Sequence, residues 1–192
     1  LFFFFSYFIK ETVLNINIQL DFEVTPTLAE LYMQSTQCSF IGYEVPLTLE
    51  EATQKLNQYS QTKRYGKFER LAIMKIWEGD TLIGFSLPRA IMEIEYRAFK
   101  IENSNKDWYR IGTIFIGDQY RGKGVTSKVV KLFKERYPNL IWQCEEGNIG
   151  SAKAAEKAGL DYSHHIYFKD STFWSFDKDE EFTNSYMVFS TK

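Results

Sequence analysis

The part of this sequence best suited to chemistry is the glycine-rich segment 114–125, which reads IFIGDQYRGKGV. Its apolar start predicts a strand and the apolar spacing that follows predicts a helix, so the glycines lie in a strand-to-helix turn. Glycine permits positive φ angles and lets the backbone approach a ligand closely. The N–H groups at the start of a helix, together with the helix dipole, favour an anion. The segment therefore predicts a phosphate-binding loop.

Basic residues gather in this loop and in the helix after it. Six basic residues and one acidic residue lie between Arg121 and Arg136, whereas the whole chain has 23 Lys and Arg against 25 Asp and Glu. Part of this local charge could belong to the solvent-facing side of an amphipathic helix. The near-neutral total argues against a dedicated nucleic-acid-binding protein, for which a basic excess is usual.

Two well-known phosphate loops fit the segment poorly. A Walker A loop needs Ser or Thr where Gly124 stands, because that hydroxyl binds Mg²⁺. The dinucleotide fingerprint needs a third glycine where Ser127 stands, and no acidic residue ends a suitable strand about 20 residues later. Nucleotide hydrolysis and dinucleotide-dependent redox chemistry are therefore disfavoured.

A third loop type fits. The pattern Gln-x-x-Gly-x-Gly at 119–124, between a strand and a helix, resembles the acetyl-CoA pyrophosphate loop of the GNAT superfamily of N-acetyltransferases. One helix and one strand later, NIGS at 148–151 and EKAGL at 156–160 resemble a second segment of that family, with Leu in place of Phe. The resemblance is strong over 108–160, and the flanking regions are compatible with it.

The resemblance implies acetyl-CoA as the cosubstrate, and the sequence itself shows no metal site. In the family, backbone N–H groups of the loop hold the pyrophosphate, and the preceding strand and a later Asn contact pantetheine. The corresponding residues for the pyrophosphate are Gln119, Arg121, Gly122, Lys123, Gly124 and Val125. Those for pantetheine are Ile114, Ile116 and Asn148, and Ser151 completes the cofactor-binding set. Asn148 is also suited to cap the helix by bonding the Ser151 amide, and it could do both.

The catalytic residues are harder to assign. An amine with a pKa of about 10, like that of a Lys side chain, arrives mostly protonated, so the reaction needs a base. The leaving thiolate has a pKa close to that of a Cys side chain and benefits from an acid. Many family members carry a Tyr as the acid seven residues after the Asn, but Ala155 stands there. Tyr162 and Tyr167 are the substitute candidates for the acid. Glu145 and Glu146, at the end of a predicted strand, are the candidates for the base.

The elements that must position these residues predict an α/β (α+β) fold. We expect a single GNAT-like domain with a mixed, mostly antiparallel central sheet of six to seven strands, flanked by about four helices. The predicted strands are 13–24, 71–77, 81–87, 108–116, 140–144, 162–169 and 182–190. The predicted helices are 28–34, 49–59, 125–137 and 148–158. Thr48 and Glu51 form a capping box before the second helix, and 88–107 is largely unassigned.

The chain of 192 residues fits one domain, and its aromatic fraction of 17% is high. We expect residues 1–11 to be an apolar leader or arm outside the fold and residues 12–192 to form the N-acetyltransferase domain. The apolar run at the start is shorter than the roughly 20 residues that span a bilayer. Having only two cysteines, Cys38 and Cys144, argues against a disulfide framework and favours a reducing cytoplasm.

The expected function is direct transfer of an acetyl group from acetyl-CoA to a primary amine of a small molecule or a protein. Two alternatives stay open. One is a CoA-binding regulatory or interaction domain with a degenerate catalytic site, which Ala155 would suit. The other is toxin-type acetylation of aminoacyl-tRNA, for which Lys63, Arg64, Lys67 and Arg70 offer a modest basic surface. The acidic segment 177–181 could attract a cationic amine. Membranes and nucleic acid are not expected partners, and a homodimer is left open.

Overall fold

The computed structural model describes residues 14–38, 45–61, 64–65, 68–69, 72–102, 106–168, 174–175 and 184–191. Three sets of predictions lie wholly or mainly outside these residues. They are the apolar leader 1–11, the acidic segment 177–181, and all but Arg64 of the proposed tRNA-binding residues.

The described residues form twelve strands and five helices. The strands are β1 Ile16–Asp21, β2 Arg64–Tyr65, β3 Phe68–Glu69, β4 Ile73–Glu78, β5 Thr81–Ser86, β6 Arg89–Ala90, β7 Tyr109–Arg110, β8 Ile114–Ile116, β9 Leu140–Glu145, β10 Asp161–Phe168, β11 Trp174–Ser175 and β12 Asn184–Ser190. The helices are α1 Pro26–Ser35, α2 Leu49–Gln61, α3 Glu93–Tyr96, α4 Val125–Arg136 and α5 Ile149–Lys157.

Local sequence signals placed most of these elements correctly. The capping box before α2 is confirmed, since the Thr48 N–H donates to the Glu51 carboxylate over 2.8 Å and the Glu51 N–H donates to the Thr48 hydroxyl over 3.3 Å. The first strand is shorter than the predicted 13–24. The unassigned region 88–107 contains β6 and the short helix α3.

The strands form two main sheets. The first has the order β1-β4-β5-β8 and is antiparallel throughout. The second has the order β11-β10-β12-β9-β7-β6, in which only the β7–β9 pair is parallel. The predicted mixed, mostly antiparallel α/β fold is confirmed, but its strands are divided between two sheets where one was expected.

Helices cover the first sheet on both faces. Leu28 of α1 and Leu56 of α2 are buried against Phe85 and other apolar residues of one face. On the opposite face, Val129 and Phe133 of α4 belong to a core that contains side chains of both sheets. Full burial of an apolar side chain contributes about 1.5–3 kcal/mol. Helix α4 therefore helps to hold the two sheets together.

The predicted strand 108–116 is wrong as a single element, because it is two strands in different sheets. Strand β7 pairs with β9, whereas β8 pairs with β5. Between them, the Leu87 N–H donates to the Thr113 carbonyl over 3.1 Å. A Cβ atom on Gly112 would lie 2.2 Å from the Leu87 carbonyl oxygen. Glycine at this position lets the chain leave β9 and approach β5.

Candidate active site

The division of the sheets opens a cavity between β8 and β9. Arg110 is still paired with Ile141 of β9, and beyond that point β8 turns to β5, so the two strands diverge. The cavity has a volume of about 960 Å³. Residues of β8, the following loop, the start of α4, β9, α5 and β12 line it.

Strand β8 directs the backbone N–H and C=O groups of alternate residues towards the cavity. The Thr113 carbonyl accepts from Leu87 over 3.1 Å and the Gly117 N–H donates to Ile83 over 2.8 Å, so these two residues bond on the β5 side. Successive residues of an antiparallel strand bond on alternate sides. Ile114 and Ile116 therefore direct their backbone N–H and C=O groups towards the cavity.

The loop after β8 depends on two glycines. Gly122 has φ +74° and Gly124, the residue before α4, has φ +72°. This left-handed conformation is disfavoured for other residues. A Cβ atom on Gly122 would meet nothing within 4 Å, which leaves space beside the backbone. The start of α4 faces the cavity, because Val125, Thr126 and Ser127 also line it. The arrangement has the features of an anion-binding helix start.

Arg121 fastens this loop to the neighbouring strand. Its Nε donates to the Ile116 carbonyl over 2.9 Å, and its Nη1 lies 2.9 Å from Asp118 Oδ1. Its Nη2 donates to Cys38 Sγ over 3.4 Å, which places Cys38 at the cavity wall. The Lys123 ammonium lies 5.6 Å from the centre of the Tyr120 ring. The Arg121 side chain thus bonds within the protein, and Arg121 also lines the cavity.

Eight of the ten predicted cofactor-binding residues line the cavity, namely Ile114, Ile116, Arg121, Gly122, Gly124, Val125, Asn148 and Ser151. Gln119 and Lys123 are not part of the lining. Asn148 caps α5 as predicted, since its Oδ1 accepts from the Ser151 N–H over 3.0 Å. The cap uses only the amide oxygen of Asn148, whose NH₂ group carries two further donors.

The four predicted catalytic residues fall into two places. Glu145 lines the cavity. Glu146, Tyr162 and Tyr167 lie outside the lining and surround His165. The Tyr162 Oη is 2.6 Å from His165 Nδ1, the His165 Nε2 is 4.0 Å from Glu146 Oε1, and the His165 and Tyr167 ring centres are 6.1 Å apart. The structure groups these three residues with one another but not with Glu145.

Sequence reasoning missed Tyr186, Arg110 and Gln143, which also line the cavity. Tyr186 is the strand partner of Glu145. Partial burial and the Glu145 charge raise the pKa of Tyr186, while Arg110 opposes them. The hydroxyl is therefore protonated at neutral pH and can donate a proton. Only the β9–β12 register could have revealed Tyr186. Ala155, at the position of the family's usual Tyr, is fully buried in the core.

A sequence profile described as "Acetyltransferase (GNAT) domain" matches residues 20–161. This chain belongs to the GNAT acetyltransferase family. The predicted family is thereby confirmed, and the matched region contains the loop, α4, β9 and α5. A search of curated protein sequences gave no significant match.

Solved GNAT structures share the fold of this domain. It is similar to the microcin C7 self-immunity acetyltransferase MccE in complex with acetyl-CoA and AMP (TM-score 0.60, 14% identity, 95% of this chain and 94% of that one). It is similar to the Salmonella typhimurium acetyltransferase that modifies the N-terminal serine of ribosomal protein L7/L12 (0.60, 12%, 94% and 95%). It is also similar to the aminoglycoside acetyltransferase AAC(6')-Ib in complex with coenzyme A (0.59, 13%, 91% and 94%). At these identities the likeness concerns the fold alone.

Two further features concern only the described part of the chain. None of its helices combines the length and the apolar character that a membrane span requires. No group of His, Cys, Asp and Glu side chains there is arranged to hold a metal ion.

Proposed function

We propose that this GNAT domain transfers the acetyl group of acetyl-CoA to a primary amine by direct attack. The observation that carries the proposal is a single cavity with three parts. It contains the loop of Gly122 and Gly124 at the start of α4, the unpaired edge of β8, and the side chains of Glu145 and Tyr186. Solved neighbours with this fold contain acetyl-CoA or CoA. One neighbour acts on a protein N-terminus and another is an aminoglycoside acetyltransferase, which supports either a protein or a small molecule as acceptor.

The residues present fit the cosubstrate. The backbone N–H groups of Gly122, Gly124 and Val125 would hold the pyrophosphate at the start of α4. The cavity-facing N–H and C=O groups of Ile114 would pair with the amides of pantetheine, whereas the Ile116 carbonyl already accepts from Arg121 Nε over 2.9 Å. This pairing replaces the strand partner that β8 lacks on the side of β9.

Three groups of this chain would perform the transfer. The cosubstrate supplies a thioester whose carbonyl carbon accepts the amine nitrogen, so a C–N bond forms and the C–S bond breaks. Glu145 would accept the proton that the amine loses. The Ile116 N–H would stabilise the oxygen that gains negative charge. Tyr186 would donate a proton to the departing sulfur. Glu146, Tyr162 and Tyr167 remain alternatives from the sequence.

A transfer assay tests this proposal. The protein is incubated with acetyl-CoA and a panel of primary amines and peptides, and both thiol release and acetylated products are measured by mass spectrometry. The proposal predicts one free thiol for each acetylated amine. Binding of acetyl-CoA without transfer to any acceptor would instead favour the regulatory CoA-binding domain, which the absence of a Tyr at position 155 keeps open.

We also propose a reducing compartment, the cytoplasm, for this protein. Cys38 and Cys144 are both free thiols, and Cys38 lies at the cavity wall. An oxidising environment would expose that thiol to modification beside the proposed reaction centre.

A further inference from the structure

Arg110 lies at the end of the cavity where the amine would react. The preceding residue, Tyr109, packs its ring 4.6 Å from that of Tyr137, on the α4 side of the sheet. Successive side chains of a strand point to opposite faces, so Arg110 lies on the face that it shares with Glu145 and Tyr186, and it lines the cavity. A cation here would repel a simple ammonium group. The position of Arg110 therefore requires an explanation beyond amine binding.

The protein leaves part of this guanidinium without a partner. The Nε atom of Arg110 is buried and has no hydrogen-bond partner among the described residues. The neighbouring carboxylate of Glu95 accepts from Arg89 Nη1 and Nη2 over 2.6 and 2.5 Å and from the Met92 N–H over 3.1 Å. Two cations thus share one carboxylate, which is already hydrogen-bonded to Arg89.

The charge of Arg110 persists at neutral pH. Burial and the nearby Arg89 lower its pKa to about 10, while Glu95 and Tyr186 act in the opposite direction. The guanidinium remains protonated in an ordinary buffer. A partly buried cation that shares one carboxylate with a second arginine and lines a cavity is suited to an anionic ligand group.

We propose that Arg110 binds a carboxylate of the acceptor, so that the acceptor is an amine that carries a carboxylate on the same molecule. This inference rests on the proposed acetyltransferase function and specifies its substrate class. Arginine offers two parallel N–H donors to a carboxylate. The amine of the same molecule would then lie towards Glu145, where a negative charge favours it. The carboxylate and the amine of the acceptor would thus each lie near a side chain of opposite charge, Arg110 and Glu145 respectively.

The strand register limits the spacing of these two charges. Arg110 is opposite Ile141 on β9, and Glu145 is four residues further along that strand, about 13 Å away at 3.3 Å per residue. The long side chains of Arg110 and Glu145 shorten this gap. Gln143 lies between them on the same face and also lines the cavity. The remaining space fits an amine and a carboxylate separated by a few carbon atoms.

The test compares ω-amino acids of increasing length with alkylamines of the same length, as acceptors of the full chain with acetyl-CoA. For the best length, we expect kcat/KM to favour the amino acid by at least about tenfold, the order of one charge-assisted hydrogen-bond pair. Arg110→Met should remove this preference, chiefly by raising KM for the amino acid. Arg110→Lys should retain part of it. Arg97→Met, which alters an exposed arginine outside the cavity lining, should leave it unchanged.

Three results would overturn the inference. They are a preference of the wild type for alkylamines, an equal loss of kcat/KM for both acceptor classes in Arg110→Met, and acetyl-CoA binding without transfer to any amino acid in the series. If Arg110→Met does not fold, the comparison of amino acids with alkylamines in the wild type and in Arg110→Lys still tests the inference. A wild type that does not bind acetyl-CoA by calorimetry would contradict the proposed function itself.

Discussion

The two ends of the cavity differ in whether backbone groups or side chains form them. The proposed cofactor end relies chiefly on backbone groups of one continuous segment, from β8 through the loop to the start of α4. The proposed acceptor end relies on side chains from three separate strands that line the cavity, Arg110 of β7, Glu145 of β9 and Tyr186 of β12. A backbone site needs only the right local conformation, whereas a side-chain site needs the correct register of distant strands. Changes at the two ends should therefore affect binding and turnover separately.

The largest effect is expected from Gly122→Glu at the cofactor end. A carboxylate at this position would fill the space beside the loop and repel the pyrophosphate, so we expect acetyl-CoA affinity to fall about a thousandfold, or ~4 kcal/mol. Isothermal titration calorimetry measures this. Gly79→Glu is the matched control, because Gly79 also has positive φ, at +56°, and open space around its Cβ. Unchanged binding in Gly122→Glu would show that the loop is assigned wrongly.

The next effect concerns turnover at the acceptor end. Glu145→Gln removes the proposed base and should lower kcat about a hundredfold, while acetyl-CoA binding is retained. Steady-state kinetics of Glu145→Gln and Glu146→Gln compare a residue of the cavity lining with its neighbour outside it. A larger loss of kcat in Glu146→Gln than in Glu145→Gln would instead indicate that the base is Glu146, in the group around His165.

A third change tests the division of the sheets, on which both ends depend. Gly112→Ala places a methyl group 2.2 Å from the Leu87 carbonyl, and overpacking of this kind costs about 1–3 kcal/mol. We expect urea denaturation to show a loss of about 2 kcal/mol in the free energy of unfolding. Gly150→Ala, in α5, should instead stabilise the protein by somewhat less than about 1 kcal/mol. Equal stability of Gly112→Ala and the wild type would contradict the close approach.

The smallest effect is expected at Asn148, which joins a structural role to a proposed binding role. Asn148→Ala removes the α5 cap and should lower stability by about 1 kcal/mol. Asn148→Ser keeps an acceptor for the Ser151 N–H but loses the amide donors. If Asn148 contacts pantetheine, the serine variant retains its stability and binds acetyl-CoA more weakly. Unaltered affinity in both variants would leave the cap as the sole role.

The same contrast explains which features could be predicted from the sequence. The loop 119–124, the capping box at Thr48 and the Asn148 cap are local signals, because the responsible residues are within a few positions of one another. The break at Gly112 escaped notice because the apolar pattern of 108–116 continues through it. Tyr186 and Arg110 depend on the β9–β12 and β7–β9 registers, which no local pattern reports. Tyr162 and Tyr167 were chosen for nearness in sequence and Glu146 for its place at the end of a predicted strand, and none of the three belongs to the cavity lining.

Ligand-dependent thermal stability tests the central claim most directly. The full chain is melted with acetyl-CoA, ATP or NAD at equal concentrations. A ligand at a hundred times its Kd stabilises the folded state by about 2.7 kcal/mol, so acetyl-CoA should raise Tm by several degrees while ATP and NAD leave it nearly unchanged. Stabilisation by ATP without stabilisation by acetyl-CoA would contradict the assignment of the glycine-rich loop and the account built on it.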